Sequence, residues 1–277
     1  MIKKKIRVNS KKTNYKYLFT VAGSSHIMDF NFKKPSHLAA LLLLLGSLAL
    51  FIAYPVFSLY YSAPITSLYT ESMTSFQRLT IEVILLLTQL FFVFIGLIII
   101  PILWYTLVNR ISLKEMFARV QLKQEEWDLA LLWGVITVIF AFALIVMIGL
   151  IYMYVTNIDT KTLSNIPDLQ LLFSIPSLYI LVTLQPFCEE FFYRGFLFEK
   201  ITKMTSPFIA IVITSVLFGI SHLSYTHAYA AVTAFILGLL LALVVLKTKN
   251  LFSAIFAHVV INIVSLTLFI YGTSFWM

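Results

Sequence analysis

The chain has 277 residues, of which 60% are hydrophobic and only 12% are charged, and its mean hydropathy is +0.94. A water-soluble domain of this length could not bury so much apolar surface, so the composition excludes a soluble protein and predicts a polytopic membrane protein. The single cysteine excludes an internal disulfide framework. The net charge of +8 does not indicate a nucleic-acid partner, because nine of the twenty basic residues precede the first apolar run.

The basic residues of the N-terminal segment, residues 1–36, indicate the topology of the chain. Positive charge before the first span favours a cytoplasmic N-terminus in contact with anionic lipids. We expect no cleaved signal peptide, because the basic region is long and the apolar run that follows is long enough to cross the bilayer. The basic, Phe-rich composition favours a bacterial plasma membrane as the location.

Five apolar runs are long enough to predict transmembrane helices. They cover about residues 38–60, 81–107, 129–155, 228–247 and 251–271. The charged loop 108–128 contains a short amphipathic stretch, residues 112–120, which is typical of an interfacial helix. We assign three spans to an N-terminal region, residues 37–168, and the remaining spans to a core, residues 169–277. In that core Gly219 and Gly238 are typical of close helix–helix contacts.

The path of residues 169–222 through the membrane has two interpretations. If residues 170–192 form one span, the chain has seven spans, and Glu189 and His222 lie at opposite membrane faces. At 1.5 Å per helical residue, the two side chains would then be about 25 Å apart.

The second interpretation breaks the chain near Pro186, because proline lacks an N–H and restricts the residue before it. Residues 187–204 then form a separate helix antiparallel to residues 206–222, and Glu189 and His222 return to the same depth. We therefore predict an all-α transmembrane helix bundle of eight spans. This eight-span arrangement conflicts with the positive-inside rule, under which basic residues stay on the cytoplasmic side. It places four lysines on the face opposite to the N-terminus: Lys200, Lys203, Lys247 and Lys249.

Two adjacent glutamates lie in an otherwise apolar stretch, where a charged side chain costs about 2.5–3.5 kcal/mol. Glu190 and Arg194 are four residues apart on one helix face, so we expect them to form an ion pair. Glu189 is rotated by about 100° from Glu190 and has no evident partner, which favours the role of a general base.

Three more polar side chains follow in apolar runs, and with Glu189 they predict hydrolysis of a peptide bond inside the membrane. His222 is placed to share the water that Glu189 polarises. His258 and Asn262 are four residues apart, so one helix face presents two donors to a developing oxyanion.

The same residues also permit a metal site. Glu189, His222 and His258 would then bind a divalent ion such as zinc, with one position left for water. The chain has no His-Glu-x-x-His sequence, which excludes the usual zincin arrangement, but the metal-dependent and metal-free alternatives both stay open.

Three motifs on separate predicted spans resemble those of a known family. They are Glu189-Glu190-x-x-x-Arg194, Phe218-x-x-x-His222 and His258-x-x-x-Asn262. In this order they resemble the CPBP family of intramembrane proteases, also called Abi or CAAX-protease-like, which includes the type II CAAX prenyl endopeptidases. The resemblance covers roughly residues 170–265.

The resemblance implies roles for the six residues of the motifs. Glu189 and His222 would activate the attacking water, and His258 and Asn262 would hold the oxyanion. Glu190 and Arg194 would support the first glutamate. The resemblance also implies a membrane-associated protein or peptide as the substrate, without implying that this substrate is prenylated.

Two other functions stay open. A proton-coupled carrier would use Glu189, His222 and His258 as a proton relay. The first half of the chain has almost no intramembrane charge, which argues against the duplicated halves of many carriers. A non-catalytic immunity or scaffold protein would bind a peptide in the same cavity without cleaving it.

Overall fold

The computed structural model describes residues 30–61, 72–157, 166–223 and 228–275, and within these ranges the chain is helical and contains no strand. The predicted all-α fold is confirmed. Five helical stretches are long and apolar enough to cross a membrane, and they lie where the hydropathy predicts them. They are Pro35–Phe57, Ser75–Leu107, Trp127–Thr156, Tyr229–Thr248 and Phe252–Tyr271. The total number of spans stays a prediction.

The first half of the chain forms long helices that contain π-helical segments. Its elements are α1 (Pro35–Leu48), π1 (Ala49–Ala53), α2 (Tyr54–Tyr61), α3 (Ser75–Phe94), π2 (Ile95–Ile99), α4 (Ile100–Leu107), α5 (Leu113–Arg119) and α6 (Trp127–Thr156). Both π-helical segments end two residues before a proline, Pro55 or Pro101. Proline offers no N–H to the carbonyl one turn earlier, so the helix widens there instead of breaking.

The short helix predicted in the charged loop is α5, and it packs onto the second half of the chain. Ser112 caps it, because its Oγ accepts a hydrogen bond from the N–H of Glu115 at 3.3 Å. Met116 is fully buried. Val120, which follows α5, packs so closely on Gly195 that a Cβ at this glycine would lie 3.1 Å from the Val120 Cβ.

The second half contains the candidate site residues. Its elements are α7 (Ile166–Gln170), α8 (Ile175–Glu190), π3 (Phe191–Leu197), α9 (Phe198–Met204), α10 (Pro207–Ile220), α11 (Ala228–Thr248) and α12 (Phe252–Phe275). The segments α8, π3 and α9 follow one another without interruption and form one continuous helix.

The predicted break at Pro186 is therefore wrong, because this proline lies inside α8. Its missing N–H removes one hydrogen bond from the helix. A break would instead leave up to four N–H and four C=O groups without helical partners, which is far more costly where no water is present. A helix that continues through Pro186 therefore costs less free energy than a helix that breaks there.

The predicted hairpin at residues 205–206 is confirmed. The Oγ of Ser206 accepts a hydrogen bond from the N–H of Ile209 at 3.3 Å, and Pro207 occupies the first turn of α10. Glu189 lies 16 residues before Thr205, and His222 lies 17 residues after it. The hairpin alone thus returns the two side chains to a similar depth, and no break at Pro186 is needed.

Several loops meet at one end of the bundle. Three hydrogen bonds connect them: Lys200 Nζ to Asn109 Oδ1 at 2.7 Å, the Leu251 N–H to the Gln121 carbonyl at 2.8 Å, and Asn250 Nδ2 to the Glu125 carbonyl at 3.2 Å. The start of α1 lies at this end too, because Phe30 stacks on Trp104 with ring centroids 5.8 Å apart.

This arrangement corrects the predicted distribution of charge. The four lysines expected on the opposite face lie instead with the basic loop 108–128, because the helix that contains Glu189 runs unbroken to the hairpin. They are Lys200, Lys203, Lys247 and Lys249. The conflict with the positive-inside rule disappears.

Helices α10 and α11 approach each other closely through small residues, as Gly219 and Gly238 predict. A Cβ at Gly219 would lie 2.9 Å from the Cβ of Phe235. A Cβ at Gly238 would lie 3.1 Å from the Cβ of Ser215 and 3.2 Å from Nη2 of Arg194. Such small residues let membrane helices pack at short backbone distances.

Candidate active site

A buried ion pair forms the base of the site. Nη1 of Arg194 donates to Oε1 of Glu190 at 2.6 Å, and both side chains are fully buried. The predicted pairing is confirmed. The guanidinium also lies over the ring of Phe218 with its central carbon 4.2 Å from the centroid, so aromatic contact adds to the stabilisation of the charge.

His258 on α12 contacts both glutamates. Its Nδ1 lies 2.8 Å from Oε1 of Glu190, and its Nε2 lies 3.8 Å from Oε2 of Glu189. A carboxylate oxygen can only accept this hydrogen bond, so Nδ1 donates to Glu190 and Nε2 faces Glu189. The two motifs, which are 68 residues apart in the sequence, meet in one cluster.

Glu189 is buried and has a partner that the sequence analysis missed. Nε2 of Gln185 donates to Oε1 of Glu189 at 2.7 Å. The expectation that Glu189 lacks a partner is therefore wrong. The spacing of four residues that predicted the pair of Glu190 and Arg194 would also have found Gln185, because polar side chains one helical turn apart are neighbours.

His222 lies two residues after the end of α10 and is held by contacts with that helix and its C-cap residue. Its Nδ1 lies 2.9 Å from the carbonyl oxygen of Phe218 and 3.2 Å from Oγ of Ser221. The Phe218 ring contacts both candidate histidines, with centroid distances of 4.6 Å to His222 and 5.6 Å to His258. The structure therefore brings the two imidazoles to one aromatic side chain.

Asn262 follows His258 by one turn on α12 and is partly buried. The two side chains share a helix face, as the spacing predicts. The six predicted site residues thus lie on α8, π3 and α12 and in the turn that directly follows α10.

The candidate metal ligands do not form a three-ligand site. Across the described ranges, no group of three or more His, Cys, Asp or Glu side chains is placed to hold a metal ion. Of the candidate ligands, Glu189 Oε2 and His258 Nε2 face each other at 3.8 Å, whereas a catalytic zinc ion is held by three protein ligands. The side chains as arranged do not fit the predicted zinc site.

An apolar groove of about 930 Å³ lies between α3 and α8. Leu87 and Phe91 line it from α3, and Phe187 and Cys188 line it from α8. Cys188 is buried and directly precedes Glu189 in the chain, so one lining residue of the groove adjoins a site residue in the sequence.

Comparison with known proteins finds similarity in the part of the chain that contains these residues. Residues 171–264 match the family described as Type II CAAX prenyl endopeptidase Rce1-like. The chain is also 27% identical over 143 residues to "Putative membrane peptidase YdiL" of Bacillus subtilis (strain 168), a match that covers 50% of this chain and 57% of the relative. The matched part thus spans little more than half of that protein. No solved structure matches the chain.

The family match includes all six site residues, from Glu189 to Asn262. The all-helical fold and the similarity to a protein named as a membrane peptidase are consistent with this match. The predicted resemblance to the CPBP family is thus confirmed for residues 171–264, which are similar to the Rce1-like type II CAAX prenyl endopeptidases.

Proposed function

We propose that this protein is an intramembrane endopeptidase that hydrolyses a peptide bond of a membrane-associated protein or peptide. The observation that carries this proposal is the pair of Glu189 Oε2 and His258 Nε2, which face each other at 3.8 Å. This gap exceeds a direct hydrogen bond, and a water molecule beside the line that joins the two atoms can contact both. The opposite atom of each group is already held, by Gln185 and by Glu190.

The proposed reaction uses this water as the nucleophile. Glu189 accepts a proton from the water, and the oxygen of this water attacks the carbonyl carbon of the scissile peptide bond. His222, which lies at a similar depth in the membrane, shares the same water. The Asn262 amide, together with Nε2 of His258 when its imidazole carries both protons, donates hydrogen bonds to the negative charge that develops on the carbonyl oxygen. The protonated Glu189 then returns the proton to the leaving nitrogen as the C–N bond breaks.

The surroundings of the site support a substrate that lies in the membrane. The apolar groove between α3 and α8 offers a surface for a hydrophobic segment beside Glu189. The family description and the relative's name, a membrane peptidase, support peptide hydrolysis rather than transport. No step of the proposed reaction passes through a metal ion, because the side chains do not supply three ligands.

The test compares membrane and secreted peptides from cells that produce the wild-type protein, Glu189→Gln or His258→Ala at matched levels. Leu132→Ala, at an exposed position of α6, is the control. A product that is lost in both site variants and kept in the control, and that purified wild-type protein regenerates, supports the proposal. Cleavage by purified Glu189→Gln would exclude Glu189 as the base. Unchanged peptides in both site variants would overturn the protease proposal.

We also propose that the N-terminus and the basic end of the bundle face the cytoplasm of a bacterial cell. The loop 108–128 and the lysines before the hairpin at residues 205–206, Lys200 and Lys203, lie together at this end. Positively charged loops are retained on the cytoplasmic side of a membrane. In a Cys188→Ala background, a membrane-impermeant maleimide should label Phe76→Cys in intact cells and should label Lys203→Cys only after permeabilisation. The reverse labelling pattern would invert the topology.

A further inference from the structure

The Gln185 amide lies one helical turn before Glu189, outside the three motifs that identify the family. Its Nε2 contacts Oε1 of Glu189 at 2.7 Å, a short hydrogen bond to a carboxyl group. The contact depends on the continuous helix through Pro186, since a break there would separate the two side chains. Gln185 therefore belongs to the site by geometry rather than by motif.

Glu189 also lies near an incompletely satisfied cation. Nη1 of Arg194 is used by Glu190, but Nε and Nη2 of Arg194 are buried and have no hydrogen-bond partner within the described part of the chain. Arg194 is close enough to Glu189 for an electrostatic interaction. A Glu189 side chain that was not held elsewhere would be attracted to this guanidinium and away from His258.

We propose that Gln185 is a positioning residue that holds Oε1 of Glu189, so that Oε2 faces Nε2 of His258 and not the guanidinium of Arg194. This proposal rests on the proposed proteolytic function. An amide suits the task because it donates a directed hydrogen bond without adding a charge that would compete with Arg194. Its contribution is to the orientation of the base, and it does not touch the reacting atoms.

The test replaces Gln185 with Met, which keeps the length of the side chain and removes the donor. The readout is the rate of the Glu189-dependent cleavage found in the peptide comparison, with purified full-length protein in lipid nanodiscs. Loss of one hydrogen bond to a charged group predicts a fall in kcat of about 10- to 100-fold with an unchanged KM. Gln185→Lys, which restores a donor, should recover part of the rate. Ile180→Met, at an exposed position of the same helix, is the control.

A second readout does not require activity. Infrared difference spectra of wild type minus Glu189→Gln isolate the vibrational bands of the Glu189 carboxyl group. In the Gln185→Met background those bands should shift, and in the Ile180→Met background they should not. An unchanged kcat or unchanged bands in Gln185→Met would overturn the positioning role. If no Glu189-dependent product exists, the proteolytic function fails, and the infrared bands still decide whether Gln185 holds Glu189.

Discussion

Replacing Arg194 with Met should destabilise the protein strongly. The side chains of Arg194 and Glu190 are both fully buried and are joined by a 2.6 Å hydrogen bond. Removing one member of a buried ion pair costs about 3–5 kcal/mol, because the other charge stays behind without compensation. His258 Nδ1 still donates to Glu190, and a hydrogen bond is worth about 1 kcal/mol. We therefore expect Arg194→Met to lower the free energy of unfolding by an amount near the lower end of that range, about 3 kcal/mol.

The assay is reversible unfolding of the purified protein in mixed micelles, with the free energy of unfolding as the measured quantity. Arg119→Met provides a matched control. Arg119 and Glu115 are also four residues apart and 2.7 Å from each other, but both side chains are partly exposed to solvent. Such a surface pair contributes only about 0.3–0.5 kcal/mol.

A double variant separates the effect of charge from the effect of side-chain volume. Glu190→Gln combined with Arg194→Met removes both charges, so it should recover most of the stability that Arg194→Met loses. If Arg194→Met lowers the free energy of unfolding no more than Arg119→Met does, then burial does not make the pair of Arg194 and Glu190 more important for stability than a surface pair. If the double variant is no more stable than Arg194→Met alone, lost packing rather than an unpaired charge explains the defect.

Two further predictions concern the packing and the chemistry of the site. Gly238→Ala should destabilise the protein by about 1–3 kcal/mol and reduce activity, because its Cβ would lie 3.1 Å from the Cβ of Ser215 and 3.2 Å from Nη2 of Arg194. Gly46→Ala, which would meet no atom within 4 Å, is the control in the same unfolding and cleavage assays. Removal of divalent metals by a chelator should leave the Glu189-dependent cleavage unchanged, whereas a loss that zinc reverses would require a metal-dependent mechanism.

Hydropathy and helical spacing predict those parts of this molecule that depend on neighbouring residues in the sequence. The five long apolar helices follow from composition alone, because an apolar run of this length in a membrane must satisfy its backbone hydrogen bonds internally. The contact of Glu190 with Arg194 follows from their spacing on one helix face. The hairpin at Ser206 follows from a capping residue placed directly before a proline.

The sequence does not predict the contacts between distant helices or the fate of Pro186. Proline is unfavourable in the interior of a helix in water. In a bilayer, however, interrupting the helix costs more free energy than losing one hydrogen bond at the proline. The contact of His258 with Glu190 joins residues from different motifs, and no local pattern predicts which glutamate the imidazole meets. The contact of Gln185 with Glu189 is different, because the spacing of four residues that pairs Glu190 with Arg194 predicts it as well.

The position of the site within its helix explains why the charges require so many partners. Glu189 lies 14 residues after Ile175 and 15 residues before Met204, so about 21 Å of helix separates it from either end. At such a distance from both ends of the helix, the glutamates and Arg194 depend on protein groups more than on water for stabilisation. The π-helical segment π3 begins directly after Glu190, and all seven of its residues are buried.

A widened helix turn is maintained only where the surrounding packing compensates for its weaker hydrogen bonding, and such turns are frequent at functional sites. Unlike π1 and π2, π3 has no proline two residues after its end, so the proline explanation does not apply to it. Arg194 lies within π3, packs its guanidinium on Phe218 and extends to the space left open at Gly238. We infer that π3 is retained because it directs this cation into the bundle, where Arg194 supports Glu190 and Glu190 in turn holds His258 opposite Glu189.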